Sequence, residues 1–233
     1  MQQDIQQNSW KHSAGVAAAQ LIEDGMVIGL GSGSTATHLV YALAQRLQTG
    51  LRIVGAVPTS NATGELANSL GIPLTTLDAH PQLDLVIDGA DEIDSQLNLI
   101  KGGGGALLRE KIVASTARRF VIVGDITKLV PILGKGFALP VEIVPFALAP
   151  VQSRLETLGI TIQVRKLGNQ VYITDNGNMI VDCIFPQGIT DPFAIHTRMK
   201  SIVGVVETGL FLGMAEQAII GGPEGVKVLY ASS

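Results

Sequence analysis

Short, mostly apolar runs alternate with longer segments of helical period along the first half of the chain. The candidate strands are residues 26–30, 51–57, 73–77, 83–87 and 120–124. The candidate helices are residues 13–24, 35–47, 61–70 and 106–117. Continuous apolar runs are typical of strands that are covered on both faces. The order therefore predicts an α/β fold with a Rossmann-like, doubly wound, mostly parallel sheet.

The pattern changes after Thr127, where prolines fall at positions 131, 140, 145 and 150. Beyond them, the candidate strands are residues 141–144, 161–165, 171–174, 179–183 and 205–211. The candidate helices are residues 149–158 and 192–202. The turn Asp175-Asn-Gly-Asn predicts a hairpin, because Asn-Gly adopts the positive φ angles of tight turns. We interpret this order as βαββαβ, a smaller ferredoxin-like α+β domain.

Two further apolar runs near the C-terminus, residues 218–220 and 226–230, are expected to rejoin the first sheet. The smaller domain would then be an insertion. The predicted domains are residues 1–132 plus 207–233 for the Rossmann-like part and residues 133–206 for the inserted part.

Composition excludes several classes of partner. The 233 residues are 46% hydrophobic, which is enough for a substantial core, but no apolar run approaches the ~20 residues that cross a bilayer. A net charge of −4, 16 scattered Lys and Arg residues and 4% aromatic residues disfavour nucleic acid. The N-terminus lacks a secretory signal pattern, so we expect a cytoplasmic protein. The lone Cys183 lies in an apolar strand and is expected to be structural, and the four histidines lack metal-ligand spacing.

The loop Gly31-Ser-Gly-Ser-Thr-Ala36 fits the loose dinucleotide pattern G-x-G-x-x-G/A. A nicotinamide site also needs an acidic residue about 20 positions further on, and none occurs between Asp24 and Glu65. This absence argues against a nicotinamide cofactor. Backbone N–H groups at Gly33 and the hydroxyls of Ser32, Ser34 and Thr35 at a helix start suit a single phosphate. A purely structural turn remains the alternative.

The segment Asp88-Gly-Ala-Asp-Glu92 follows a predicted buried strand, at the end where open α/β sheets bind ligands. Its acids could form a solvated loop or a magnesium site. With Lys101 nearby to counter their charge, hydrogen bonding to sugar hydroxyls is the favoured interpretation for Asp88 and Asp91.

Lys101 opens the run Gly102 to Gly105, which leads into a predicted helix carrying Arg109, Glu110 and Lys111. Four glycines lose much conformational entropy on folding and offer no side chain to pack, so their bare N–H groups at Gly102, Gly103 and Gly104 are expected to bind an anion. Glu110 is a candidate catalytic carboxylate in the first turns of that helix. The alternative is a surface helix in which Glu110 only pairs with neighbouring cations.

Together these motifs resemble the ribose-5-phosphate isomerase A family. The resemblance rests on Gly31-Ser-Gly-Ser-Thr, Asp88-Gly-Ala-Asp-Glu, the run from Lys101 to Lys111 and Gly124-Asp-Ile-Thr-Lys, and it extends over nearly the whole chain. It implies Glu110 as the base, Asp88 and Asp91 as contacts to sugar oxygens, and Lys101 as a neutralising charge. It also implies phosphate contacts from Ser32, Ser34 and Thr35, with Lys11 and Lys128 as further candidates.

The implied reaction interconverts D-ribose 5-phosphate and D-ribulose 5-phosphate through a cis-enediolate, with no redox change, no cofactor and no metal. The resemblance also implies a homodimer or homotetramer that binds a small sugar phosphate and neither nucleic acid nor membrane. Two rival functions are a non-catalytic phosphosugar-sensing domain and a nicotinamide oxidoreductase. The first is disfavoured because every acid–base candidate is present and no basic face or helix-turn-helix occurs.

Overall fold

The computed structural model describes residues 2–231, with side chains from residue 4 onward. The α-helices in this range are α1 (Gln2–Ala19), α2 (Ser34–Gln48), α3 (Asn61–Ser69), α4 (Leu107–Ser115), α5 (Leu148–Glu156) and α6 (Pro192–Lys200). The first strands are β1 (Val27–Leu30), β2 (Gly55–Pro58), β3 (Leu85–Asp88), β4 (Glu92–Ile93), β5 (Leu99–Ile100), β6 (Phe120–Asp125) and β7 (Leu139–Ile143). The later strands are β8 (Thr161–Val164), β9 (Lys166–Leu167), β10 (Gln170–Val171), β11 (Met179–Ile184), β12 (Val205–Thr208), β13 (Leu210–Phe211), β14 (Gln217–Gly222) and β15 (Gly225–Tyr230).

The chain divides into two compact units. The first comprises the residues through Ala90, Arg109–Leu129 and the residues from Gly213 onward; the second comprises Asp91–Leu108 and Val130–Leu212. The predicted ranges, 1–132 with 207–233 and 133–206, differ from these units at residues 91–108, 130–132 and 207–212, all of which belong to the second unit. Pairing of β5 with β13 and β4 joins residues 91–108 to the second unit. Residues 1, 232 and 233 of the predicted range lie outside the described residues.

The first unit contains a six-stranded sheet in the order β15-β14-β6-β3-β1-β2. All neighbours pair in parallel except β14 and β15, which are antiparallel. Apolar residues of β1, β3 and β6 share one core with α1 and α2, in which Leu39 and Leu43 lie one helical turn apart and are fully buried. The predicted Rossmann-like, mostly parallel sheet is confirmed.

Parallel strands bring the residues that follow them to one edge of the sheet. Ser32 follows β1, Thr59 follows β2, Asp88 ends β3, and Lys128 follows β6 in the short 3-10 helix Ile126–Lys128. These four strands are neighbours in the sheet, so their carboxyl ends form one continuous edge within the first unit. This edge is where open α/β sheets bind ligands.

The second unit contains an antiparallel sheet in the order β12-β7-β11-β8. Numbered within the βαββαβ unit, that order is 4-1-3-2, and α5 and α6 contribute Val151, Leu155 and Met199 to the core on one face. The predicted ferredoxin-like arrangement is confirmed. Cys183 of β11 is fully buried in this core, and its burial raises the pKa of the thiol to about 12.

Several predicted elements are wrong in extent. Helix α1 begins at Gln2 rather than near Ser13 and ends at Ala19. Residues 73–77 form no strand, since only Leu74 bridges to Ala56 of β2. The predicted hairpin around Asp175-Asn-Gly-Asn keeps its turn but only one bridge, Ile173 to Met179; residues 170–171 pair with residues 166–167 instead.

The predicted strand at residues 205–211 is interrupted at Gly209, where the backbone changes partners. Gly209 N–H donates to the Pro140 carbonyl at 2.7 Å, and its carbonyl accepts from Lys101 N–H at 2.9 Å. A β-carbon at this position would overlap the Lys101 carbonyl and approach Pro140. Residues 205–208 consequently pair with β7, whereas residues 210–211 pair with β5.

Candidate active site

Asp88 ends β3 with no exposed surface, and its carboxylate fixes the loop after β1. Oδ1 accepts the N–H of Ser32 at 2.9 Å and the N–H of Gly89 at 2.7 Å. Gly31 lies so close that a β-carbon there would overlap the Asp88 carboxylate. Only glycine can occupy position 31. The glycine loop after β1 and the Asp88 carboxylate are therefore in direct contact within the first unit.

A cluster of hydroxyl groups surrounds Ser32. Its Oγ lies 2.7 Å from Thr59 Oγ1, 3.0 Å from Ser60 Oγ and 3.3 Å from Thr63 Oγ1. Thr63 Oγ1 also donates to the Gly31 carbonyl at 3.1 Å. Thr63 was not among the predicted site residues. A local signal was present, because Ser60 and Thr63 have helix N-cap spacing after a strand, and Ser60 Oγ does accept the N–H of Thr63 at 3.1 Å.

The start of α2 offers backbone N–H groups. Gly33, at the N-cap, has φ +93°, and among the described residues no side chain caps the helix there. Gly33 and Ser34 are exposed, whereas Thr35 is 6% exposed. Uncapped N–H groups and the positive end of the helix dipole favour an anion at this point.

The two predicted lysine contacts lie on other elements of the first unit. Lys11 is half-buried on α1 and close enough to α2 that its charge, after burial and His12, helps to lower the pKa of His38. Lys128 is half-buried beyond the carboxyl end of β6. Within the described residues neither lysine donates a hydrogen bond to the glycine loop.

The glycine run before α4 forms a tight turn in the second unit. Gly105 N–H donates to the Gly102 carbonyl at 3.0 Å, and both residues have positive φ, +83° and +102°. Asp91 Oδ2 accepts the N–H of Gly103 at 2.7 Å, and a β-carbon at Gly103 would lie 2.6 Å from Asp91 Oδ1. Gly103 and Gly104 are exposed. Asp91 is therefore attached to the same turn that Lys101 opens, and the Gly103 N–H, which was expected to bind an anionic ligand, is occupied by Asp91 instead.

Side chains far along the sequence hold the carbonyl side of this turn. Arg165 Nη1 donates to the Gly102 carbonyl at 2.5 Å and to the Gly103 carbonyl at 3.2 Å. Tyr172 Oη donates to the Gly104 carbonyl at 3.4 Å. Arg165 also forms a two-pronged ion pair with Asp182, in which Nε lies 3.0 Å from Oδ2 and Nη2 contacts Oδ1. No sequence signal pointed to these residues.

Lys101 is 2% exposed, an unusual position for an ammonium group, and its Nζ lies 5.5 Å from the centroid of the Phe211 ring. Glu92 is 3% exposed, and its two oxygens accept the N–H groups of Gly134 at 2.6 Å and Gly136 at 3.2 Å. For Glu92 the solvated-loop alternative is therefore wrong. Within residues 2–231, no group of three or more His, Cys, Asp or Glu side chains is arranged to hold a metal ion.

Glu110 is the fourth residue of α4, and only 5% of it is exposed. Glu110 therefore does not lie on a solvated helix surface, as the alternative required. A carboxylate in the first turn is stabilised by the helix dipole. Its neighbour Arg109 donates to Asn61 Oδ1 at 2.7 Å.

The four predicted catalytic residues divide between the units: Asp88 and Glu110 belong to the first, Asp91 and Lys101 to the second. The chain passes from one unit to the other between residues 90 and 91 and returns between residues 108 and 109. Asp88 and Asp91 are close in the sequence although they belong to different units, and the same holds for Glu110 and the glycine run.

No helix among the described residues is long and apolar enough to cross a membrane.

Known proteins are similar to this chain over most of its length. Residues 55–225 match the family model described as ribose 5-phosphate isomerase A (phosphoriboisomerase A). The chain is 51% identical to ribose-5-phosphate isomerase A from Bacillus mycoides, over 93% of this chain and 97% of the relative. It is also 51% identical to the enzyme of that name from Roseiflexus sp. strain RS-1, over 97% of each.

Solved structures of ribose 5-phosphate isomerases are also similar to this chain. Ribose 5-phosphate isomerase from Plasmodium falciparum superposes with a TM-score of 0.93 at 40% identity, covering 97% of this chain and 100% of the other. A D-ribose-5-phosphate isomerase in complex with phospho-erythronic acid has a TM-score of 0.92 at 39% identity, covering 95% of this chain and 98% of the other.

Proposed function

This chain belongs to the ribose 5-phosphate isomerase A family, and we propose that Glu110, Asp88, Asp91 and Lys101 carry out its isomerisation. The enzyme is an aldose–ketose isomerase that interconverts D-ribose 5-phosphate and D-ribulose 5-phosphate. The reaction moves a proton between C1 and C2 and involves no net redox change.

The observation that carries the assignment of the base is the buried Glu110 carboxylate in the first turn of α4, directly after the glycine run. One carboxylate can abstract the proton from C2 of the open-chain aldose and return it to C1, because both carbons lie on one face of a cis-enediolate. The carboxylate is nearly buried, which limits its screening by bulk water, and the positive end of the helix dipole stabilises its negative charge.

The other three residues act on oxygen atoms. Asp88 is fixed through Oδ1 to the loop after β1 and exchanges a proton with the ring oxygen or anomeric hydroxyl as the sugar ring opens. Lys101 stabilises the oxyanion of the enediolate, and a nearly buried ammonium is strong in this role because little water screens it. Asp91, attached to Gly103, accepts hydrogen bonds from sugar hydroxyls and orders the turn.

The phosphate binds at the start of α2. The uncapped N–H groups at Gly33 and Ser34 and the hydroxyls of Ser32 and Thr35 support this placement, and Lys11 and Lys128 supply compensating charge. A relative was solved with phospho-erythronic acid, a phosphorylated sugar acid, which supports a phosphosugar ligand for this chain. Binding energy from the phosphate positions C1 and C2 at the base.

Neither metal nor cofactor takes part. Lys101 and the N–H groups of Gly102 and Gly104 supply the positive potential that a metal would otherwise give, and the Glu92 oxygens are occupied by Gly134 and Gly136. We also propose a cytoplasmic location and no nucleic-acid or membrane partner, because the substrates are charged sugar phosphates that do not cross bilayers and the surface carries a net charge of −4.

The active form is a homodimer or homotetramer associated through the second unit. Two large apolar side chains of that unit are almost fully exposed, Phe146 at 99% and Val203 at 94%. The Val144 N–H to Gly204 carbonyl bond, 2.9 Å long, brings their two segments together. Adjacent exposed apolar side chains mark interaction surfaces. Sedimentation of Phe146→Ser is expected to show a smaller species than the native chain.

The direct test measures ribulose 5-phosphate formed from ribose 5-phosphate by the purified protein in deuterium oxide, with solvent deuterium followed by NMR. Isomerisation with exchange at the transferred position supports the enediolate route. The same assay after exhaustive dialysis against EDTA is expected to give unchanged turnover. Loss of turnover that Mg²⁺ restores would make Asp88 and Asp91 part of a metal site, and binding without turnover would favour a phosphosugar sensor.

A further inference from the structure

We propose that Arg165, held by Asp182 and assisted by Tyr172, is a positioning residue that aims the N–H group of Gly104 at the reacting oxygens. The inference rests on the proposed function, because it assumes that this run contacts the substrate. It adds three residues that lie some sixty to eighty positions further along the chain and have no role in the proton transfer itself.

Side chains of the second unit hold three successive carbonyl groups of the glycine run. Arg165 holds the carbonyls of Gly102 and Gly103, and Tyr172 holds that of Gly104. In a planar trans peptide the N–H points away from the carbonyl of the same peptide. Fixing the carbonyls of Gly102, Gly103 and Gly104 therefore also fixes the directions of the N–H groups of the three residues that follow them.

Two of those three N–H groups are used within the second unit. Gly103 N–H donates to Asp91 Oδ2 at 2.7 Å, and Gly105 N–H donates to the Gly102 carbonyl at 3.0 Å. Gly104 N–H donates to no acceptor among the described residues, and Gly104 is exposed, with open space where a β-carbon would point. Its peptide is oriented by Arg165 and its donor is left for a ligand.

Arg165 is itself fixed. Asp182 of β11 binds its guanidinium through both carboxylate oxygens, and the two side chains are only 15% and 21% exposed. A planar fork bound at two points keeps its orientation, which a lysine ammonium cannot reproduce. Glycine has the least intrinsic conformational preference of any residue, so a run of four needs such external support to keep one shape. Tyr172 packs so closely against the turn that position 105 must be glycine, because a β-carbon there would overlap the Tyr172 ring.

The test compares Arg165→Lys, Asp182→Asn and Tyr172→Phe, assayed as full-length protein well below the unfolding temperature. The first two are expected to lower kcat by about 10²-fold, the loss typical of a misplacement of about 1 Å, with little change in KM. Tyr172→Phe removes one long hydrogen bond and is expected to lower kcat by less than about tenfold. Arg119→Lys is the matched control, because Arg119 pairs with Glu216 on the surface of the first unit and is expected to keep full turnover.

A second measurement separates positioning from general damage. Inhibition by phospho-erythronic acid, whose acid group resembles the enediolate, is expected to weaken in proportion to kcat/KM, whereas inhibition by inorganic phosphate stays constant. Adding guanidinium ions to Arg165→Ala is expected to restore part of kcat. The proposal is overturned if Arg165→Lys keeps kcat within twofold of the native value, or if affinity for both inhibitors falls together. Either result leaves the role of Glu110 untouched, which its own variant tests.

Discussion

Replacement of Glu110 by Gln tests the proposed base with the smallest possible change of shape. The amide is isosteric with the carboxylate, so the packing of a side chain that is 5% exposed is preserved. What is lost is the ability to accept the carbon-bound proton. Removal of a general base lowers turnover by roughly 10²- to 10⁴-fold, equivalent to about 2.7 to 5.4 kcal/mol in the barrier.

The effect on folding is expected to be smaller than the effect on rate. A carboxylate in the first turn of α4 gains about 0.3 to 1 kcal/mol from the helix dipole, and up to ~2 kcal/mol in a partly buried position. The neutral amide loses this term but costs less to bury, so the two changes oppose each other. We expect the variant to remain folded at 25 °C and to bind ribose 5-phosphate with nearly native KM.

The assay follows both isomerisation and solvent-deuterium incorporation, because both need the same proton transfer and both are expected to fall together. Glu65→Gln on α3 is the matched control, since Glu65 is an exposed helical glutamate of the same unit. Glu110→Asp withdraws the carboxylate by about one C–C bond, ~1.5 Å, and is expected to fall between native and Gln. Turnover of Glu110→Gln within tenfold of native would refute the assignment of Glu110 as the base.

Three further outcomes are expected. Thr35→Val lowers kcat/KM for ribose 5-phosphate more than for free ribose, by an amount equivalent to roughly 1.5 to 3 kcal/mol for a hydrogen bond to a charged group; an unchanged ratio of the two efficiencies would place the phosphate elsewhere. Glu92→Ala lowers the free energy of unfolding by at least about 1 to 3 kcal/mol in chemical denaturation, because the N–H groups of Gly134 and Gly136 lose their acceptor; a stability equal to native would contradict that role. Cys183 in the native protein resists alkylation at pH 8.5, since its pKa of about 12 keeps it a thiol. The stability that this raised pKa contributes is complete below about pH 8.5 and is lost as the pH rises towards 12, a dependence that Cys183→Ser removes.

Features that depend on near neighbours in the chain could be predicted from the amino-acid sequence. The placement of Asp88 at a strand end and the glycine turn between β1 and α2 follow from local patterns, because helix and strand periodicity and positive-φ glycines act over a few residues. The candidate base Glu110 could be located for the same reason, since the glycine run and the first turn of α4 are contiguous. The predicted elements were wrong where contacts between distant residues decide the backbone conformation. At Gly209, backbone hydrogen bonds with Lys101 and Pro140 divide one apolar run between two sheets.

The groups that support the site from distant parts of the chain could not be predicted in this way, because the folding of the whole chain brings them there. Thr63 reaches Ser32 because β1 and β2 pair in parallel and present their carboxyl ends together. The antiparallel pairing of β8 with β11 sets Arg165, which follows β8, beside Asp182 of β11. In that position Arg165 donates to the carbonyls of Gly102 and Gly103. Such contacts depend on strand order and register, which are fixed by burial over the whole sheet rather than by the residues on either side. A sequence pattern can therefore identify a carboxylate or a glycine turn, while the partners that orient them are set by the packing of the complete fold.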